Sequence, residues 1–422
     1  MRPGLQNQRN RKMSTCKNGR PTILVSDAGR GSAIAIIRSL GRKGWRVLAA
    51  DSDPSSLGFR SRYAAEHVLY PPPAECPLGF LNAVLCAVSE RKVDLVIPVT
   101  DAAILPLSEA RSEFAGLCKL AIPDATALDI TTNKLKTVEL AEELGVPTPR
   151  THLVHTAKEA VDLDGELSWP VVLKPQVSRL YRNHDSIEAF TVCYAENPVQ
   201  LFERMKRFEG RCPVLLQEYC RGVGKGVELL LFQGRPLVAF QHRRLREVPI
   251  NGGASSLRQS EPLDPMMYDF AIRLMKSLNW TGLAMVEFKV GNKGPKLMEI
   301  NGRVWGSLPL AVHSGVDFPC RLAELYLNGP PSSDVSPQTT YSVGVRSRNL
   351  ELDLMWIATV LLGKQRYPFL SMPSRFQGVA ALVGLLSPAC RFDVMSWEDP
   401  RPGLAAIPRI VQKFGSKLRD ST

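Results

Sequence analysis

Residues 283–290 (LAMVEFKV) and 296–303 (KLMEINGR) flank a GNKGP turn, and two such runs about a Gly/Asn turn can hardly form anything but a β-hairpin. With the turn centred on Lys293, Glu287 falls opposite Glu299, Val286 opposite Ile300 and Phe288 opposite Met298. One face is then apolar and the other carries two opposed carboxylates. Like charges directly across a ladder destabilise it, so this register requires a cation or a shared proton between the two acids. Mg2+ suits the position, because it takes one or two carboxylates and completes its octahedron with water and phosphate oxygens. Mn2+ accepts the same hard oxygen donors. Asn301 points the same way as Glu299 and adds a neutral oxygen, and Arg303, two residues further, can grip a phosphate with two parallel hydrogen bonds. The competing reading is a solvated hairpin whose acids neutralise nearby lysines.

Upstream, from Pro21 to about Pro123, short β-branched runs alternate with helical stretches. Residues 22–26 and 46–50 read as strands around a helix over 32–43, a βαβ start, and 94–99 reads as a further buried strand ending at Thr100 and Asp101. In an open parallel sheet that edge faces a ligand. The first turn carries Gly29 and Gly31 but has Ile34 at the third position of a dinucleotide fingerprint, and although Asp51 stands near the place of a ribose-binding acid, the signal is too weak to carry a nicotinamide site. The turn reads instead as a flexible segment or the lining of a substrate pocket.

A second unit opens near Thr131 with a helix over 133–144, closed by Gly145, Pro147 and Pro149. Strands follow around 150–154, 170–174, 190–195 and 214–218, with a helix over 198–208, which is an α+β pattern. Lys174 ends an apolar strand, where an unpaired ammonium is costly to bury and a phosphate would relieve the cost. Alternation along 240–247 sets His242, Arg244 and Arg246 on one face of a strand and Arg243 on the other, a cluster suited to an anionic intermediate. The loop at 251–256 can offer backbone N–H groups to an oxyanion.

At 422 residues and 44% hydrophobic content the chain is long enough for several subdomains, each with a core. The net charge of +12 invites a nucleic-acid reading, but Arg2, Arg9, Arg11, Lys12, Lys17 and Arg20, with no acid before Asp27, account for half of it. That segment reads as a disordered basic leader over residues 1–20. No nucleic-acid partner is expected. Nine scattered cysteines without a CxxC pair point to reduced thiols and a cytoplasmic setting. No apolar run approaches the roughly 20 residues of a transmembrane segment. After the linker at 330–334, apolar stretches at 350–362 and 378–386 with basic residues beyond them can touch a membrane surface, but read more readily as a packed helical appendage.

These motifs, in this order over residues 21–330, resemble the ATP-grasp superfamily, in particular the carboxylate-amine ligases related to biotin carboxylase and the carbamoyl phosphate synthase large chain. The resemblance implies an α/β and α+β chain: a Rossmann-like pre-ATP-grasp domain over 21–125, an ATP-grasp domain over 126–330 with subdomains 126–212 and 213–330, and a C-terminal helical extension over 331–422. It implies that Lys134 and Lys174 contact ATP phosphates and that residues 217–220, including Glu218, Tyr219 and Cys220, flank adenine. Glu287, Glu299 and Asn301 would hold Mg2+, with Arg303 on the phosphates and His242 and Arg243 stabilising an acyl phosphate. The expected activity joins small-molecule carboxylate and amine substrates with release of ADP and phosphate, and a homodimer is compatible with the fold. Two departures stand out. Residues 176–187, where the family has a glycine-rich flap, contain no glycine and two arginines, which raises the alternative of an ATP-binding sensor or scaffold with weak turnover. The family's ribose-binding acid falls near Lys225, leaving Glu228 as the candidate.

Overall fold

The computed structural model describes residues 19–182, 186–363 and 369–419. Nearly all of the basic leader therefore lies outside the described residues.

The chain begins with five strands, β1 (Thr22–Val25), β2 (Arg46–Asp51), β3 (Glu66–Leu69), β4 (Leu95–Ile97) and β5 (Lys119–Leu120), all parallel and in spatial order β3-β2-β1-β4-β5. Every residue of β1 and β4 is buried, as strands covered by helices on both faces must be. The helix Gly31–Arg42 leaves the sheet at the turn after β1. Asp51 closes that turn itself: its carboxylate accepts from the Gly29 N–H at 2.7 Å and from Ser56 Oγ at 2.7 Å. A side chain at position 29 would meet both partners at 3.2 Å. Asp51 is thus committed to the loop, in agreement with the weakness of the nicotinamide signal.

Asn133 is the hinge into the next unit. It ends the helix Ala125–Thr132, and its side chain caps Lys134–Glu143 by accepting from the N–H groups of Leu135 and Lys136. The helix stops before Gly145, whose φ of +64° is the left-handed conformation that glycine adopts without strain. Strands β6 (Thr151–Val154), β7 (Val171–Pro175), β10 (Cys193–Ala195) and β11 (Val214–Glu218) form an antiparallel sheet in the order β10-β7-β11-β6. Between β7 and β10, β8 (Arg179–Arg182) and β9 (Ser186–Ala189) make a separate two-stranded ladder. The segment without glycine thus contributes two paired strands, and residues 183–185 between them lie outside the described residues. The side chains of Arg179 and Arg182 lie outside the described residues.

The third sheet has seven strands, β12 (Val223–Phe232), β13 (Arg235–Val248), β14 (Ala254–Ser260), β15 (Gly282–Gly291), β16 (Gly294–Asn301), β17 (Arg346–Arg348) and β18 (Cys390–Phe392), in the order β16-β15-β12-β13-β14-β17-β18. The last two belong to the segment expected to be helical. That expectation needs correcting: after Pro331 the chain adds an antiparallel strand to β14 and then a parallel one to β17. Short strands flanked by longer apolar helices leave little periodic signal of their own. The helix Pro400–Arg419 packs back on the first sheet's domain, burying Ala406 with Ile34 and Leu57. Among the described residues no helix is long and apolar enough to cross a membrane, and no disulfide forms.

Candidate active site

Strands β15 and β16 form the expected hairpin, with Glu287 opposite Glu299 and Val286 opposite Ile300. The symmetric register breaks after Glu287. Phe288 pairs with Leu297 rather than Met298, because a bulge takes up one residue of β16. The bulge keeps both Phe288 and Leu297 in the core and sends Met298 to line a cavity instead.

That cavity, of about 780 Å³, is lined by residues of the second and third sheets, by the turn after β1 and by the C-terminal segment. Glu287 and Glu299 face each other in it, and Asn301 Nδ2 donates to both, at 3.1 Å to Glu287 Oε1 and 3.0 Å to Glu299 Oε1. Arg244 pairs with Glu287 and, at 3.2 Å, with Glu247. Arg303 Nε lies 2.9 Å from Asp101 Oδ2, which ties the helix after β4 to this hairpin. Between Asn301 and Arg303 the residue has to be glycine: a Cβ at Gly302 would sit 2.4 Å from the buried Trp280 ring.

The two carboxylates split in acidity, as like charges sharing a site do. Burial pushes Glu287 up to about 7 against the pull of Arg244, and the charge of Glu299 pushes it the same way. Burial also acts to raise Glu299, but the Asn301 hydrogen bond together with Lys134, Lys174 and Arg244 holds it below the usual carboxylate range. Burial lowers Lys174, with the charge of Lys134 pulling the same way and that of Glu299 opposing; burial also lowers Lys134, again against Glu299. The two lysines converge because the Lys134 N–H donates to the Gln176 carbonyl at 2.8 Å, which stitches the start of its helix to the end of β7. Lys174 lines the cavity, whereas Lys134 Nζ donates to Ser178 Oγ at 2.7 Å.

Glu218, Tyr219 and Cys220 line the cavity where β11 gives way to β12. Glu218 is held by Lys296 and, at 3.6 Å, by Arg150, and the Tyr219 ring packs against Tyr194 and Phe369 with centroids 6.0 and 5.0 Å away.

Three expected residues stand elsewhere than their proposed roles require. Arg243 does not line the cavity; it pairs with Glu261 at 3.4 Å and donates to Gln259 at 3.0 Å on the opposite side of β13. Glu228 is fully buried, 2.9 Å from His242 Nδ1, and accepts from Ser307 Oγ at 2.8 Å, which removes it as a ribose ligand. Arg246 should share a face with His242 and Arg244, but the register shifts there and it turns to Asp353 at 2.9 Å and the Trp356 ring. His242 itself lines the cavity, and so does Arg244, the arginine that alternation set beside it. Arg258, Arg409 and Lys413 also line it, and no local pattern marked them.

Among the described residues no three His, Cys, Asp or Glu side chains converge on one point. Two buried carboxylates bridged by a carboxamide nevertheless fit Mg2+, which commonly takes only one or two protein carboxylates when phosphates supply the rest. Turning the Asn301 amide over would present its oxygen instead of its nitrogen.

This arrangement of a parallel sheet followed by two antiparallel sheets enclosing a cationic cavity is the ATP-grasp fold. A family model described as "ATP-grasp in the biosynthetic pathway with Ter operon" matches residues 211–349. The carbamoyl phosphate synthase large chain of Pyrococcus furiosus is 24% identical over 287 residues, 64% of this chain and 25% of that protein. The arginine-specific large chain of Bacillus subtilis is 21% identical over 240 residues, 55% of this chain and 22% of that one. The chain thus spans about a quarter of the length of these curated relatives. Among solved structures, L-amino acid ligase from Bacillus licheniformis superposes with a TM-score of 0.60 at 17% identity, covering 77% of this chain and 78% of the other. Biotin carboxylase from Campylobacter jejuni gives 0.60 at 18%, covering 77% and 74%. The chain thus shares the ATP-grasp fold of these neighbours, and its residues 211–349 match an ATP-grasp family model.

Proposed function

We propose that the chain is an ATP- and magnesium-dependent ligase that activates a carboxylate as an acyl phosphate for attack by an amine. The observation that carries this reading is the opposed pair Glu287 and Glu299, bridged by Asn301, in the same cavity that Lys174 and residues 218–220 line. Glu287, Glu299 and Asn301 would hold Mg2+, which when bound would offset phosphate charge. Lys174, with Lys134 behind it, draws the phosphates in and gains the counter-charge that its burial lacks. Glu218, Tyr219 and Cys220 flank the base. In the reaction a substrate carboxylate oxygen attacks the γ-phosphorus and ADP leaves; the amine then adds to the acyl carbon, phosphate leaves and the nitrogen gives up a proton. The chain's part is positioning and charge neutralisation. Arg303, His242 and Arg244, which line the same cavity, donate to the transferring group and the acyl phosphate in this reading, Arg244 taking the role first expected of Arg243. The neighbours named as a ligase and as carboxylases are in keeping with this reading.

ADP release tests it. The purified chain with MgATP and a panel of carboxylic acids forms ADP in proportion to the added acid, and adding amines raises turnover. Tight MgATP binding without ADP from any acid and amine would favour the sensor or scaffold, for which the absence of glycine from 176–187 speaks.

The raised pKa of Glu287 sets a pH dependence. Its protonated form predominates below about pH 7, and a metal requires the ionised form. Magnesium enhancement of ATP binding therefore weakens as pH falls through 7, and binding at about pH 6 releases a proton. Calorimetry in two buffers of different ionisation enthalpy measures that release, and equal heats would contradict it.

A further inference from the structure

The helix Arg375–Val383 is packed with its small side inward. Gly378 and Ala381 face the helix Leu350–Leu362, so closely that a Cβ at Gly378 would meet Leu361 Cδ2 at 2.8 Å, while Phe376, Val379, Leu382 and Val383 point outward. Phe376 is 81% exposed, and Leu386 in the turn that follows is 87% exposed. A helix that merely completes a core does the reverse, burying its large side chains and exposing its small ones. Here close packing of glycine and alanine presents a ridge of large apolar groups on a fixed platform. The N-terminus of the helix is locked by reciprocal hydrogen bonds between Ser374 and Gln377.

Along the chain, the charge that flanks the ridge is of one sign. Between Asp353 and Asp393 every charged residue is a lysine or arginine, and the described ones, Arg375 and Arg391, are exposed. Apolar side chains that project between cations are the pattern that seats in an anionic lipid surface, the former entering the acyl boundary and the latter meeting headgroups. A second copy of the chain fits less well. A stable interface takes about 800 Å² from each partner, whereas this ridge is one helix roughly 14 Å long and its turn. A like-charged twin would also oppose cation to cation.

We propose that the ridge formed by Phe376, Val379, Val383 and Leu386 docks the protein on the surface of an anionic membrane, without spanning it. This is independent of the ligase reading. The test is co-sedimentation of the full chain with vesicles of phosphatidylcholine, with and without phosphatidylglycerol. The wild type is expected to pellet with the anionic vesicles, less at high salt, and the Phe376→Ser, Leu386→Ser variant to lose at least about tenfold in partitioning. Unchanged circular dichroism in that variant, with unchanged MgATP affinity where the wild type shows one, keeps the comparison one of surface alone. Absence of wild-type binding overturns the proposal, and so does binding that the variant retains, which would assign it to the basic leader. A chain that is dimeric in solution and becomes monomeric on the same substitutions would show that the ridge meets a second copy.

Discussion

Glu287→Gln combined with Glu299→Gln is expected to abolish the dependence of ATP binding on magnesium, with the MgATP affinity falling by at least about a hundredfold. Glutamine keeps the size and hydrogen-bonding reach of each side chain but removes both negative charges, and a hard dication bound by neutral oxygens alone loses most of its attraction. The same substitutions remove Glu299 from beside Lys134 and Lys174, and leave Arg244 only Glu247 and Arg303 only Asp101 as close counter-charges. Affinity for metal-free ATP should therefore stay level or rise, a change opposite in sign to what misfolding would cause. Calorimetric titration with and without Mg2+ reads both quantities. Retained magnesium enhancement in the double variant would sink the assignment of the hairpin as a metal site.

Asp399→Ala is expected to cost about 3–5 kcal/mol of stability, the usual consequence of removing one partner of a buried ion pair. Asp399 lies at the start of the C-terminal helix and is 1% exposed. Its carboxylate accepts from Arg38 Nε at 3.0 Å, Ser61 Oγ at 2.7 Å and the Arg62 N–H at 3.0 Å, and so joins the last helix to the first sheet's domain. Alanine strands a buried guanidinium and two donors together. Replacing both partners by apolar residues, Arg38→Met with Asp399→Leu, should recover most of the loss, since no uncompensated charge is left. Thermal melts of the three chains give the comparison, and a single variant within about 1 kcal/mol of wild type would show that the contact carries little.

Several site residues were legible because local chemistry made them awkward in any other role. Two glutamates opposed in a ladder, and a lysine ending an apolar strand, are costly unless something balances them, and the cost is visible in a few consecutive residues. Arg246 illustrates the limit. Strict alternation holds only while the ladder is regular, and two register shifts in β13 turned Arg246 toward Asp353 and Trp356. Glu228 looked like a ribose ligand by its place in the chain, yet Ser307 and His242, from 79 and 14 positions downstream, hold it in the core.

By itself the sequence determined the βαβ opening, the carboxylate hairpin with Glu287 across from Glu299, and the cationic character of the site, because each follows from periodicity or charge within one or two adjacent elements. Only the tertiary structure decided that Asp101 meets Arg303, that β17 and β18 extend the third sheet, and that the last helix returns to the first domain through Asp399. Those contacts join residues 202 and 361 positions apart. They form because buried charges and sheet edges must find partners, and short-range patterns do not record which distant partner packing will supply.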